Sequence, residues 1–231
     1  FDPDRIDNKM TTVRRRAGAL LPILFWGGVW GLAEAVLGHA LHLLRIPGLA
    51  GGLMFPVGFW AMRRAFLGDG RAVVLVGVPA VAAAVKLADF LLPVSDPFLV
   101  LNPAAAILLE GAAVALLLGR MGRRTPSLAS LAAASTAWRF AYFGWAAASA
   151  SLAGATSVFA LDGFSPWRYF AAEPLAAALL ILAAFRVSDR RAARGPRPAA
   201  ARLSDRIASR PGYAAASAVL AVLVEILLGR A

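Results

Sequence analysis

The chain has 231 residues, 60% of them hydrophobic, with a mean hydropathy of +0.69 and a net charge of +11. Repeated apolar runs close to the ~20 residues that span a bilayer's hydrocarbon exclude an ordinary soluble domain. Arginines set between such runs are explained by topology and anionic lipid, not by nucleic acid. The absence of cysteine excludes a disulfide framework, a thiolate metal site and a cysteine nucleophile.

The first ten residues, FDPDRIDNKM, form a polar stretch without the apolar core or cleavage site of a secretory leader. Residues 1–16 read as a cytoplasmic tail, with those before Met10 either an added leader or a native extension. Hydropathy then predicts helices at about 17–43, 48–66, 72–92, 101–120, 127–150, 167–186 and 212–229. Pro47, Pro93, Pro97, Pro126, Pro166 and Pro211 fall at or near the starts of runs or in connections, where a missing backbone N–H is harmless. The expected fold is all-α, a polytopic membrane bundle of six core transmembrane helices (17–186). A basic cytoplasmic linker (187–210) and a seventh hydrophobic helix (211–231) follow.

Orientation follows from the cations. The N-terminal tail and the connections after the second, fourth and sixth helices hold five, three, three and eight of the 24 Lys and Arg residues. The alternate segments hold only Arg45, Arg168 and Arg230, while Lys86 and Arg139 lie inside helices. The positive-inside rule puts the N-terminus in the cytoplasm of a cell that carries this protein in its inner membrane.

With the direction known, depth follows from ~1.5 Å of rise per residue. His39 and His42 fall near the outer end of the first helix and Glu34 nearer its middle. Lys86 and Asp89, spaced i,i+3 and able to pair, fall in the outer third of the third helix. Asn102 opens the fourth helix, with Glu110 about midway along it. Arg139 is central in the fifth, Trp145 lies further out, and Glu173 is in the outer part of the sixth. Charges in a membrane must pair or face a polar cavity. His39, His42, Lys86, Asp89, Asn102, Arg139, Trp145 and Glu173 are therefore the candidate substrate-binding set, in a pocket open to the outside. Pairing accounts for some of them equally well: Lys86 with Asp89, and Arg139 with Glu110 or Glu173. Two histidines at i,i+3 do not define a metal site, so metal binding stays open. No cofactor and no catalytic residue is assigned. Glu225, alone in the last helix, meets another helix or snorkels.

Gly27, Gly31 and Ala35 form a small-residue stripe on the first helix, suited to close approach by another helix within the chain or from a partner. The segment PGLAGGLMFPVGF suggests a lid or a broken start to the second helix.

The run WGLAEAVLGHALHLLRIPGLAGGLMFPVGFWAMRRA, with KLADFLLP and LNPAAAILLEGAAVALLLG, resembles the substrate-binding S components of energy-coupling factor vitamin transporters over about residues 17–186. The resemblance implies a vitamin or micronutrient bound near the outer surface. It also implies that Gly27, Gly31 and Ala35 dock on a transmembrane coupling subunit driven by ATPases. The chain has Gly-xxx-Gly-xxx-Ala where the family has an alanine pair, and its seventh run departs from the six-helix pattern. These 231 residues contain no phosphate loop of the type G-x-x-x-x-G-K-[ST]. The resulting expectation is a membrane subunit for uptake of a small polar micronutrient, in contact with lipid and not with nucleic acid. The alternatives are an intramembrane metal- or acid/base-dependent enzyme and a structural subunit of a membrane complex.

Overall fold

The computed structural model describes residues 3–38, 40–41, 49–93, 96–153, 164–193 and 210–228, and their backbone is almost entirely helical. In chain order the long helices are α1 (Pro3–Ala33), α2 (Leu49–Asp69), α3 (Ala72–Leu87), α4 (Phe98–Met121), α5 (Leu128–Ala153), α6 (Glu173–Ala193) and α7 (Pro211–Leu228). A π-helical turn at Glu34–Gly38 extends α1, a 3-10 turn at Ala88–Leu91 extends α3, and a second π turn at Arg168–Ala172 leads into α6.

Among the described residues five segments are long and apolar enough to cross a membrane: Gly18–Gly38, Ala72–Leu91, Phe98–Met121, Arg168–Ser188 and Pro211–Leu228. This marks a multi-pass helical membrane protein. Two helices, α2 and α5, are not among the five. Each carries polar residues, Arg63 and Arg64 in α2 and several serines with Arg139 in α5, that lower its mean hydropathy. The helix starts at Pro3, so residues expected as a tail are continuous with the first apolar run.

The helices form an arc in which α1 packs on α3, α3 on α4, α4 on α5 and α5 on α6, while α2 lies within the arc against α1, α3, α4 and α6. Helix α7 packs outside, on α1 and α3. The position of α2 explains its residues: Met54, Phe55, Phe59 and Met62 are buried, and Gly58 receives the Trp30 indole so closely that a Cβ there would lie 2.5 Å from Cζ2. Gly77 of α3 likewise admits Ile23, and Gly111 of α4 admits Pro79. Such small-residue contacts let membrane helices approach where no hydrophobic force drives them together.

The same principle corrects the expectation for the first-helix stripe. A Cβ on Gly27 would meet Val81 at 2.6 Å, and one on Gly31 would meet Val85 at 2.9 Å, while Ala35 is buried. Gly27, Gly31 and Ala35 are thus covered within the chain, the two glycines by α3, and form no open docking face. Neighbouring Gly28 faces α7, where a Cβ would stand 2.7 Å from the Ala218 nitrogen. Ser217 also donates its hydroxyl to the carbonyls of Leu24 and Phe25 at 3.4 and 3.3 Å.

The connections are made by local chemistry. Gly70 and Gly122 adopt positive φ (80° and 60°) just beyond α2 and α4, and their N–H groups close the last turns onto Phe66 and Leu118. The Asp96 carboxylate accepts the Phe98 N–H at the start of α4, and the Ser127 hydroxyl accepts the Ser130 N–H at the start of α5. The expected lid or broken start at PGLAGGLMFPVGF is, from Leu49 onward, unbroken α2 helix through Gly51, Gly52 and Pro56.

Candidate functional site

Among the described residues the contacts of the expected polar set fall into three groups, the first two linked by the electrostatic reach of Glu34 and Glu110, and His39 and His42 lie outside the described residues.

The first group is centred on Lys86 in the last turn of α3. Its ammonium donates to Asp89 Oδ2 at 2.8 Å, as the i,i+3 spacing allows, and to Glu225 Oε1 of α7 at 2.5 Å. Glu34, opening the π turn of α1, lies within electrostatic reach of Lys86 and Glu225. One cation therefore holds two carboxylates and faces a third. Glu225 does not snorkel: it is 4% exposed and ties α7 to the bundle.

The second group surrounds Arg139 of α5, which is 0% exposed. Its Nη1 donates to the Ser135 hydroxyl at 2.7 Å and to the Ser135 carbonyl at 3.0 Å, one helical turn back. The guanidinium carbon lies 4.6 Å from the Trp138 ring centre and 5.5 Å from that of Tyr169. Its Nη2 stands 3.7 Å from Glu173 Oε2, an ion-pair contact beyond hydrogen-bond reach. Arg139 Nε and Nη2, Glu173 Oε2 and Trp138 Nε1 are buried with no hydrogen-bond partner among the described residues. Glu110 of α4, also buried, lies within electrostatic reach of Arg139 and of Glu34.

Glycines at the start of α2 make room for this group. A Cβ on Gly51 would lie 2.9 Å from the Trp138 ring and 4.0 Å from Glu110 Oε1. One on Gly52 would lie 3.8 Å from Arg139 Nη2 and 3.9 Å from Glu173 Cβ. The π turn before α6 shapes the other side. It brings Arg168 within reach of residue i+5, so that its Nε donates to Glu173 Oε1 at 3.2 Å, and its Phe170 carbonyl accepts the Thr136 hydroxyl at 3.3 Å. Each π turn adjoins a carboxylate of the polar set: Glu34 begins one and Glu173 follows the other.

The third group is a single hydrogen bond from Trp145 Nε1 to Asn102 Oδ1 at 2.9 Å, on an exposed side of the bundle. It satisfies the indole N–H of Trp145.

Arg71, in the turn between α2 and α3, shows what a filled guanidinium edge looks like here. Its Nε and Nη2 each donate at 2.6 Å to one oxygen of Asp69, and that hydrogen bonding raises its pKa above the ordinary arginine value. The same edge of Arg139 carries no hydrogen bond among the described residues.

Several participants escape sequence reading. Ser135 could have been found from its i−4 relation to Arg139, while Glu225, expected to meet another helix or to snorkel, does the first. Gly51, Gly52 and Tyr169 carry no local signal. No group of three or more metal-ligating side chains is found among the described residues. Comparison with family models, with curated proteins and with solved structures finds no match to this chain.

Proposed function

We propose that this chain is a substrate-binding membrane subunit for uptake of a small polar micronutrient that carries a carboxylate, held at Arg139 in a site reached from outside. The observation that carries this reading is the Nε–Nη2 edge of a fully buried guanidinium, with no hydrogen bond among the described residues. A buried donor left unsatisfied costs about 1–3 kcal/mol, more if charged. A planar carboxylate matches both donors at once, as Asp69 does on Arg71.

The surroundings support the same ligand class. Glu110, Glu173 Oε2 and Trp138 Nε1 would accept from or donate to the rest of a zwitterion, and Gly51 and Gly52 let the α2 backbone approach this group closely. Under the positive-inside orientation α2 and α6 both begin at the outer face, which puts Gly51, Gly52 and Glu173 in the outer half of the membrane. The Lys86 group joins α3 to α7 through one cation set between two carboxylates, and serves to fix α7. Energy for uptake would come from a partner module or an ion gradient, since these residues hold no phosphate loop. A partner would engage a face other than the stripe of Gly27, Gly31 and Ala35.

A thermal-shift panel of small carboxylates beside their uncharged amides tests the proposal. The acid should raise the melting temperature and its amide should not, and Arg139→Gln should abolish the difference. Equal shifts from acid and amide, or no shift from any acid, would overturn it.

A further inference from the structure

In the Lys86 group two carboxyls from different elements meet each other as well as the ammonium. Lys86 takes one oxygen of each, Asp89 Oδ2 at 2.8 Å and Glu225 Oε1 at 2.5 Å. The second oxygens, Asp89 Oδ1 and Glu225 Oε2, are buried and accept no hydrogen bond among the described residues. Glu225, whose side chain is 5% exposed, also stands within hydrogen-bonding reach of Asp89. Two ionised carboxylates at that range are both acceptors and repel, whereas a carboxylic acid donates to the carboxylate beside it.

We infer that Asp89 and Glu225 together bind one exchangeable proton beside Lys86. The balance of charge selects this occupant. One ammonium against two carboxylates leaves a negative charge, and Glu34 adds another from the π turn of α1. A single proton makes the triad neutral where unbalanced charge is costly. A metal ion fits less well, because the ammonium already holds an oxygen of each carboxyl and the described residues offer no group of three metal ligands. The fold supplies the pair: Asp89 lies in the 3-10 turn that extends α3, and α7 packs on α1, its π turn, α3 and this 3-10 turn. Among the described residues, the charged groups that face Glu225 from those elements are Lys86, Asp89 and Glu34. The proton thus joins α7 to the end of α3 directly, beside the joint made by Lys86. That joint is complete while the proton is held and weakens as rising pH removes it and sets two like charges face to face. These contacts stand apart from any carboxylate ligand at Arg139, and the inference does not rest on that reading.

Infrared spectroscopy of the reconstituted protein distinguishes the C=O stretch of a protonated carboxyl from that of a carboxylate, and the probe is the proton itself. Near neutral pH the wild-type protein should show an acid C=O band that shifts in heavy water and is lost as the pH is raised. Asp89→Asn and Glu225→Gln should each remove this band, because either amide leaves Lys86 a single carboxylate to neutralise. Glu110→Gln should leave it in place. If an amide variant does not fold, wild-type protein grown with heavy carbon in its aspartate carboxyls decides the matter. Part of the band should then move to lower frequency, since Asp89 is the one aspartate within the five apolar spans. A spectrum without a pH-sensitive acid band, a band that survives Asp89→Asn or Glu225→Gln, or one untouched by the aspartate label would each overturn the inference.

Discussion

Arg139 is held in place by Ser135 as much as by any acid. The Ser135 hydroxyl accepts at 2.7 Å from the guanidinium, whereas Glu173 stands 3.7 Å away. Ser135→Ala should therefore destabilise the protein by about 1.5–3 kcal/mol, the range for a hydrogen bond to a charged group, as read from unfolding in detergent. No loss would show that the remaining bond to the Ser135 carbonyl suffices. Lys86 makes the sharper case, because it bridges Asp89 and Glu225. Lys86→Met should cost about 3–5 kcal/mol by stranding buried carboxylates, and adding Glu225→Gln should recover part of that loss. Additive losses would mean that the two side chains are not coupled. The i,i+3 spacing made the Lys86–Asp89 pair legible. The partner on α7, 139 residues away, was not, because nothing local links a lysine to an acid on a distant helix.

At the scale of elements, five of the seven helices lie within a few residues of their expected ranges, since apolar runs broken by Pro, Gly and Arg leave little choice of boundary, while the sixth continues past its expected end to Ala193. The first differs more, because its helix runs back to Pro3 and an α-helix can continue through a polar stretch that hydropathy leaves out. The two π turns were not legible, as an inserted residue leaves hydropathy unchanged. Helix pairing was half legible: Gly27 and Gly31 announced a close contact but not its partner. The structure assigns that stripe to α3 and Gly28 to α7. Gly28→Leu should accordingly displace α7, since its side chain would enter the backbone at Ser217 and Ala218. A short bifunctional thiol reagent should link Lys86→Cys to Glu225→Cys in the parent chain and fail in the Gly28→Leu background. Undiminished linking would mean that α7 is held independently of α1.

For the whole molecule, the orientation proposed from the arginine distribution has the N-terminal segment and the stretch between α6 and α7 on the cytoplasmic side. Arg194→Cys, introduced into a chain without native cysteine, should resist an impermeant thiol reagent in intact cells and react after permeabilisation. Labelling in intact cells would invert the topology and put the Gly51–Gly52 end inside. The multi-pass helical class was legible from composition alone, while depth did not say which of the polar residues would touch. Depth ranks residues along the membrane normal but not around the bundle, so Lys86, Arg139 and Asn102 separated onto different helix pairs.

The central claim is that the Nε–Nη2 edge of Arg139 anchors a carboxylate ligand, and native mass spectrometry of gently purified protein tests it most directly. The wild-type chain should carry a co-purifying small acid in a one-to-one complex, and Arg139→Gln, still folded by circular dichroism, should lose it. A wild-type protein that is free of small molecules and takes up none from a mixture of small acids, or a folded Arg139→Gln variant that keeps the same mass increment, would contradict the account.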